Sequence, residues 1–365
     1  MKPIMKQRIE WVDTAKAIGM FLVFYGHYIE KVSQIEGETG IAMMQLKFIY
    51  SFTMPLFFIL SGFFARKHQD KLRQIKKLFL QLIIPVFAFG LLFFPLWLLF
   101  NKYRFGDFLF SEVVKRGLFY LSGTPQLDFI TWFLICLFTA EVVLVLMGLP
   151  SKFKYLNLVL GFLFLTAGFL IIENIHFFST YSEIGMNFWY IHESIIAMGF
   201  LLIGNGIFPV ISALSSKKDR LFYLVIPIVT ILLFLSQMYL KNEQVLIMSV
   251  SQHGDFIPFV VHSLLGSILI ISVVMALPSN KLIRFIGSNT LILLGLNGIF
   301  YHFLNGFIAK WTFIDHPGYI LSNSLFVSIL SMALCYPAIL IFNRYLPQLF
   351  GRPFVDGPIL KAFRN

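Results

Sequence analysis

Charge is what this chain has least of. Asp, Glu, Lys and Arg make up only 13% of its 365 residues, while 58% are hydrophobic. A soluble domain carries about a quarter charged residues, so this composition excludes an ordinary water-soluble globule. With a mean hydropathy of +0.80, it predicts an all-α integral membrane protein. Cysteine is nearly absent too. Cys136 and Cys335 both fall in apolar runs, which excludes a disulfide framework and a cysteine zinc site. No other metal-ligand spacing stands out, so no metal is expected. Acidic residues number 18 against 29 Lys and Arg, a net charge of +11, but the cations are scattered through short connections. No basic arm or basic–aromatic patch exists, which argues against nucleic acid as a partner. Phenylalanine, by contrast, occurs 44 times and suits a surface facing lipid.

Stretches long enough to cross about 30 Å of hydrocarbon recur along the chain. Their limits are 11–30, 44–65, 78–99, 129–148, 155–174, 188–210, 221–240, 258–277, 286–307 and 319–343. The predicted fold is therefore a single domain over 1–365, a bundle of about ten transmembrane helices. The connection 100–128 is the longest, and Phe105 to Leu121 within it reads as an amphipathic surface helix. Of the 29 Lys and Arg, 20 fall at the two termini and in the even-numbered connections, against 7 in the odd-numbered ones. Positive-inside bias then predicts that both termini are cytoplasmic. The first apolar segment carries charge and has no small-residue cleavage site, so it reads as a retained span rather than a signal peptide.

That first segment, Trp11 to Glu30, holds the chain's most unusual residues. Asp13, Lys16 and His27 interrupt an otherwise apolar run. An ionisable group at the centre of a span costs about 2.5–3.5 kcal/mol or more, so such groups face protein or a wet cavity. Lys16 and His27 are eleven positions apart, and at about 100° per residue they return to one helix face. Gly19 and Gly26 would allow a neighbouring helix to approach closely. Asp13 can pair with Lys16 or Arg8. Glu141, deep in the fourth span, needs a polar partner, and Pro55 is expected to kink the second span.

Histidines gather at the outer side of this layout: His27, His176, His192, His253, His262, His302 and His316, with only His68 inside. Asp128, Trp132 and Glu193 lie at similar depth and Asn297 somewhat deeper. Most such residues serve as interfacial groups or helix-to-helix hydrogen-bond donors. Trp132 reads either as a belt residue or as a platform for a sugar. Lys47 enters the second span from outside, and its default is to snorkel to the interface. Ser61 and Gly62 read as packing residues.

Several separated motifs resemble one family. The run Arg8-Ile-Glu-Trp-Val-Asp13-Thr-Ala-Lys16-Ala-Ile-Gly19, closing at Gly26-His27, is similar to the first span of the membrane acyltransferase 3 family. Met54-Pro55-Leu-Phe-Phe-Ile-Leu-Ser61-Gly62-Phe63 resembles its second span, and Ile84-Pro85, Trp132-Phe133-Leu134 and Ile286-Gly-Ser-Asn-Thr-Leu follow in the family's order. The nearest likeness is to the fucose 4-O-acetylase-like and polysaccharide O-acetyltransferase branch. There are two departures. Relatives often carry a basic pair just before Ile-Pro, where this chain has Leu80 and Gln81, its own cluster Arg73, Lys76 and Lys77 lying a turn earlier. Many also have a histidine where this chain has Asn297, and His302 lies further along.

The resemblance implies transfer of an acyl group, usually acetyl from acetyl-CoA, to a hydroxyl of a sugar or glycan at the bacterial inner membrane. His27 is the expected general base, with Lys16 on its face and Asp13 further along the same helix as the other catalytic candidates. Arg8, Arg73, Lys76 and Lys77, with Lys16, are the cations expected to meet the phosphates of acyl-CoA. Lys47, Trp132, Asn297 and His302 are the expected substrate contacts. Because CoA is cytoplasmic and His27 lies near the outer face, the pantetheine arm is expected to thread between the spans. Direct transfer and an acyl-enzyme route both fit, as do acetyl, succinyl and other acyl groups. A multi-span transporter or flippase of a small solute or glycan lipid is the alternative. It would be expected to show related halves, and none are evident between 1–180 and 181–365.

Overall fold

In the computed structural model of the chain, the described residues are 9–37, 40–105, 110–125, 129–174, 185–216, 221–241, 244–278, 280–312 and 316–363. Arg8, Asp128 and His176 lie outside them. The elements are α1 (Glu10–Glu36), α2 (Ile41–Tyr50), α3 (Thr53–Gly62), α4 (Lys71–Leu78), α5 (Ile84–Phe105), α6 (Phe110–Leu121), α7 (Trp132–Met147) and α8 (Lys154–Asn174). They continue with α9 (Ile191–Ser216), α10 (Leu221–Tyr239), α11 (Phe256–Ala276), α12 (Lys281–Ser288), α13 (Thr290–Ile299), α14 (Asn305–Ala309), α15 (Pro317–Leu334) and α16 (Tyr336–Tyr345). The fold is all-helical, with no strand among the described residues beyond an isolated bridge between Ile247 and Gln252.

Among the described residues, seven stretches are long and apolar enough to cross a membrane: Ile41–Gly62, Lys71–Leu99, Lys154–Asn174, Phe188–Leu214, Phe256–Ala276, Thr290–Ala309 and Pro317–Tyr345. Trp132–Met147 and Tyr223–Tyr239 are shorter apolar helices. At 27 residues α1 is about 40 Å long, but Asp13, Lys16, His27 and Glu30 keep it out of the apolar set. Instead α1 is the central helix. It packs on α2, α3, α11, α12, α13, α14 and α15, and buries most of its length. The outer helices behave oppositely. α8, α10 and α15 expose Phe162, Leu163, Phe234, Ile231, Phe326 and Ile329, an apolar coat that only hydrocarbon would cover. Within the stretch from Phe105 to Leu121 a helix is present as α6, Phe110–Leu121.

Breaks in the helices position the interior. The second predicted span breaks at Ser51–Phe52, one turn ahead of Pro55, whose missing N–H leaves the Ser51 carbonyl four residues back without an intrahelical donor, as expected of a proline kink. The carbonyl of Ser51 freed by this break accepts a 2.9 Å hydrogen bond from Ser263 Oγ on α11, rather than lining a cavity. The π turns at Phe79–Ile83 and Phe300–Leu304 join α4 to α5 and α13 to α14. The first lies just ahead of Pro85, whose ring cannot support a regular i−4 bond. α12 and α13 are separated at Asn289, whose amide oxygen accepts from Asn343 at 2.7 Å and from Arg352 at 3.3 Å. These bonds tie the chain's last segment beneath the bundle.

Gly62 shows how tightly α3 and α9 cross. A Cβ there would stand 2.0 Å from the carbonyl oxygen of Leu201. Backbone cannot yield as a side chain does. Gly62→Ala is therefore expected to cost about 1–3 kcal/mol, read as a lower thermal midpoint of the detergent-purified protein. An unchanged midpoint would contradict the crossing. Ser61 donates to the Phe57 carbonyl of its own helix at 2.9 Å.

Candidate active site

One face of α1 carries Lys16, Met20, Val23, His27 and Glu30, a spacing that keeps all five within a narrow stripe. Two cavities lie along that stripe. The first, about 240 Å³, is walled by His27, Glu30, Tyr50, Thr53, Ile130, Trp132, Tyr301 and residues 246–250. The second, about 180 Å³, is walled by Lys16, Met20, Phe57, Ser61, Leu82, Phe133 and Thr290. Val23 and Met54 line both. The cavities therefore meet at these two side chains, with His27 on one side and Lys16 on the other.

The His27 cavity holds a connected polar cluster. Glu30 accepts from the Tyr50 hydroxyl at 2.8 Å and from the Tyr301 hydroxyl at 3.0 Å, one tyrosine on each carboxylate oxygen. The His27 ring lies 4.9 Å from the Tyr301 ring and 6.4 Å from that of Tyr50, within electrostatic reach of Glu30. Lys31 sits 4.3 Å above the face of Tyr301, a cation–π contact. Asn297 lies beside the imidazole and is wholly buried. Nδ1 of His27 and both amide atoms of Asn297 are buried without completing a hydrogen bond of standard geometry. Gly26 admits this arrangement, because a Cβ there would come within 2.5 Å of the Tyr50 ring. Gly19 likewise receives the Phe57 ring, which a Cβ would meet at 3.0 Å.

The predicted site residues divide. His27 and Trp132 line the first cavity. At 7% exposure, Trp132 is a wall residue packed 5.7 Å from Tyr190, not an interfacial belt residue. Asn297 stands behind His27. His302 is exposed, its ring 5.1 Å from that of Tyr301, and does not line the cavity. Lys47, on α2, is not among the lining residues either. Lys16 reaches the second cavity, its ammonium 5.5 Å from the Phe64 ring centroid. Asp13 is absent from both cavities. It is buried at a third, of about 320 Å³, with Lys281, Arg284 and Glu10, the last two forming an ion pair. Arg73, Lys76 and Lys77 stay on the exposed side of α4, and none lines the Lys16 cavity. Lys77 instead lies within electrostatic reach of Glu141, the polar neighbour that residue needed.

Glu30, Tyr50 and Tyr301 were not among the predicted site residues. Glu30 had a signal: an acid three positions after His27 returns to the same helix face. The tyrosines had none, since a tyrosine near a span end is ordinary. Tyr301 reaches Glu30 from the π turn, a feature that re-aims side chains within a helix and recurs at functional sites.

A chain that gathers a half-buried imidazole, carboxylate and two phenols on one cavity between apolar helices fits the chemistry that its motifs implied. No curated protein and no solved structure matches it. A family model described as an acyltransferase domain matches residues 9–342. The chain belongs to the acyltransferase 3 family and is a multi-pass membrane acyltransferase.

Proposed function

We propose that this acyltransferase moves an acetyl group from acetyl-CoA to a hydroxyl of a sugar or cell-surface glycan at a bacterial inner membrane. We further propose that it crosses that membrane ten times, with both termini in the cytoplasm. The observation that carries this reading is the meeting of the His27 and Lys16 cavities at Val23 and Met54. The Lys16 cavity, narrow and walled by Met20, Phe57, Leu82 and Phe133, suits the thin pantetheine arm. The His27 cavity suits a saccharide, because Trp132, Tyr50 and Tyr301 offer ring faces and Glu30 and Ser249 offer oxygen acceptors.

In this reading His27 Nε2 takes the proton from the acceptor hydroxyl as its oxygen attacks the thioester carbonyl carbon. The tetrahedral intermediate collapses, the C–S bond breaks, and the leaving thiolate takes the proton back from the imidazolium. Glu30 stabilises that transient positive charge across the cluster. A small rotation lets Asn297 Oδ1 accept from His27 Nδ1–H, which fixes the tautomer and leaves Nε2 as the base. Arg284 and Lys281 at the third cavity belong to another site in this reading, and Asp13 helps hold that end of α1.

The test supplies labelled acetyl-CoA and candidate glycans to membranes containing the protein. Label appearing as a glycan ester supports the proposal, and substrate movement without any ester overturns it. Glu30→Gln removes the carboxylate charge while keeping oxygen and nitrogen for the tyrosines. The expected result is a fall in kcat of about 10- to 100-fold with donor KM little changed, since a charge felt mainly by the imidazolium acts on the transition state. A selective rise in donor KM would move Glu30 out of this role.

A further inference from the structure

Five consecutive residues of the His27 cavity wall, Leu246 to Val250, belong to no transmembrane helix. They form a connection between α10 and α11 that folds back into the bundle. Ile247 and Gln252 exchange backbone hydrogen bonds of 2.8 and 3.1 Å, a single 3₁₀ turn spans Met248–Val250, and Ser251 takes left-handed φ of 56°. Leu246, Met248, Ser249 and Ser251 are all buried. Such a segment has few ladder bonds of its own, so something else must hold it against the cavity.

That hold is a buried histidine–carboxylate contact. His253 Nε2 stands 3.1 Å from each carboxylate oxygen of Glu193. His253 is 3% exposed and Glu193 0%. Glu193 lies in the first turn of α9, where the helix dipole favours a carboxylate. Three residues earlier in the chain, the Tyr190 ring packs on Trp132 in the opposite cavity wall. His253 in turn packs 5.0 Å from Phe259 on α11. Burying two polar side chains is costly unless each finds a partner. This pair joins the connection that carries the cavity-wall residues to the first turn of α9.

We infer that Val245–His253 is the roof of the acceptor cavity and determines which saccharide hydroxyl reaches His27, with Glu193–His253 as the positioning latch that holds it shut over the substrate. This rests on the acetyl-transfer reading above for the identity of the occupant, but not for the existence of the latch. Neither Glu193 nor His253 touches the reacting atoms. Their loss therefore acts through the roof, weakening acceptor binding while leaving the chemistry at His27 in place.

Two readouts test it in the detergent-purified full-length protein. In the first, Ser249→Cys reports roof opening by its rate of reaction with N-ethylmaleimide. Cys136 and Cys335 are both buried, so the parent protein provides the blank. Adding Glu193→Ala or His253→Ala is expected to raise the labelling rate about tenfold or more, because a buried polar side chain loses its partner. Glu193→Gln, which keeps a hydrogen-bond acceptor for His253, is expected to restore most of the protection. In the second, Glu193→Ala without the cysteine is assayed with acetyl-CoA and methyl glycosides. Acceptor KM is expected to rise about tenfold while thiol release at saturating acceptor stays within about threefold. An unchanged labelling rate in both alanine variants overturns the latch, as does a fall in kcat with acceptor KM unmoved. If the unsubstituted protein acetylates no glycoside, the acetyl-transfer reading fails instead, and the labelling experiment alone decides the latch.

Discussion

His27→Ala is expected to reduce acyl transfer by about 10²–10⁴-fold while the protein still inserts and accumulates normally, the range general acid–base catalysis supplies. His27 is a cavity-wall residue rather than a core residue, and its ring contacts are with Tyr50 and Tyr301. Truncating it enlarges a space that already exists, so the structural cost should be small. The chemical cost should not, because among the described residues no other imidazole lines that cavity. The measurement is labelled ester formed per molecule of protein, with abundance and thermal midpoint recorded for the same preparation. Transfer at the normal rate would remove His27 from catalysis. Asn297→Ala provides a graded comparison: if the amide orients the ring, kcat falls by less than in His27→Ala and acceptor KM is spared.

Met54→Trp is expected to depress transfer at least ~10²-fold for a different reason. Met54 and Val23 line both cavities, so a thioester reaching His27 from the Lys16 side must pass between them. Reacting atoms must come within about 3–3.5 Å, and about 1 Å of misplacement is enough to cost ~10²-fold. An indole at this junction holds the donor short of the acceptor hydroxyl with every catalytic group still present. Met54→Ala widens the passage, and its transfer rate should stay near that of the parent. The pair separates obstruction from misfolding, provided both variants keep a normal thermal midpoint. A folded Met54→Trp protein that transfers normally would show that the two cavities are not one route. The histidine and junction experiments are independent: the first removes the proton acceptor, the second the approach of the donor.

Membrane residence and the helical class followed from composition, because a chain 58% hydrophobic and 13% charged has no way to cover its apolar surface in water. The functional face of α1 was also legible. Helical periodicity is local, so Lys16 and His27 could be placed on a common stripe before any neighbour was known. The order of motifs pointed to acyl transfer, and the family match over 9–342 agrees.

Which groups meet that stripe is decided by packing between elements distant in the chain. Tyr301 reaches Glu30 across 271 residues, through a π turn that no hydrophobic pattern announces. Pro55 announced a break in the second span, but the Ser263 hydroxyl of α11 that satisfies the freed Ser51 carbonyl comes from 212 residues away. Arg73, Lys76 and Lys77 remain on the exposed side of α4, while the cation that enters the passage is Lys16. The connection that lines the His27 cavity is tied to α9 by a histidine–glutamate contact 60 residues apart in the chain. Periodicity assigns a side chain to a face; only the three-dimensional arrangement determines what that face encloses, because burial and hydrogen-bond satisfaction depend on every neighbour together.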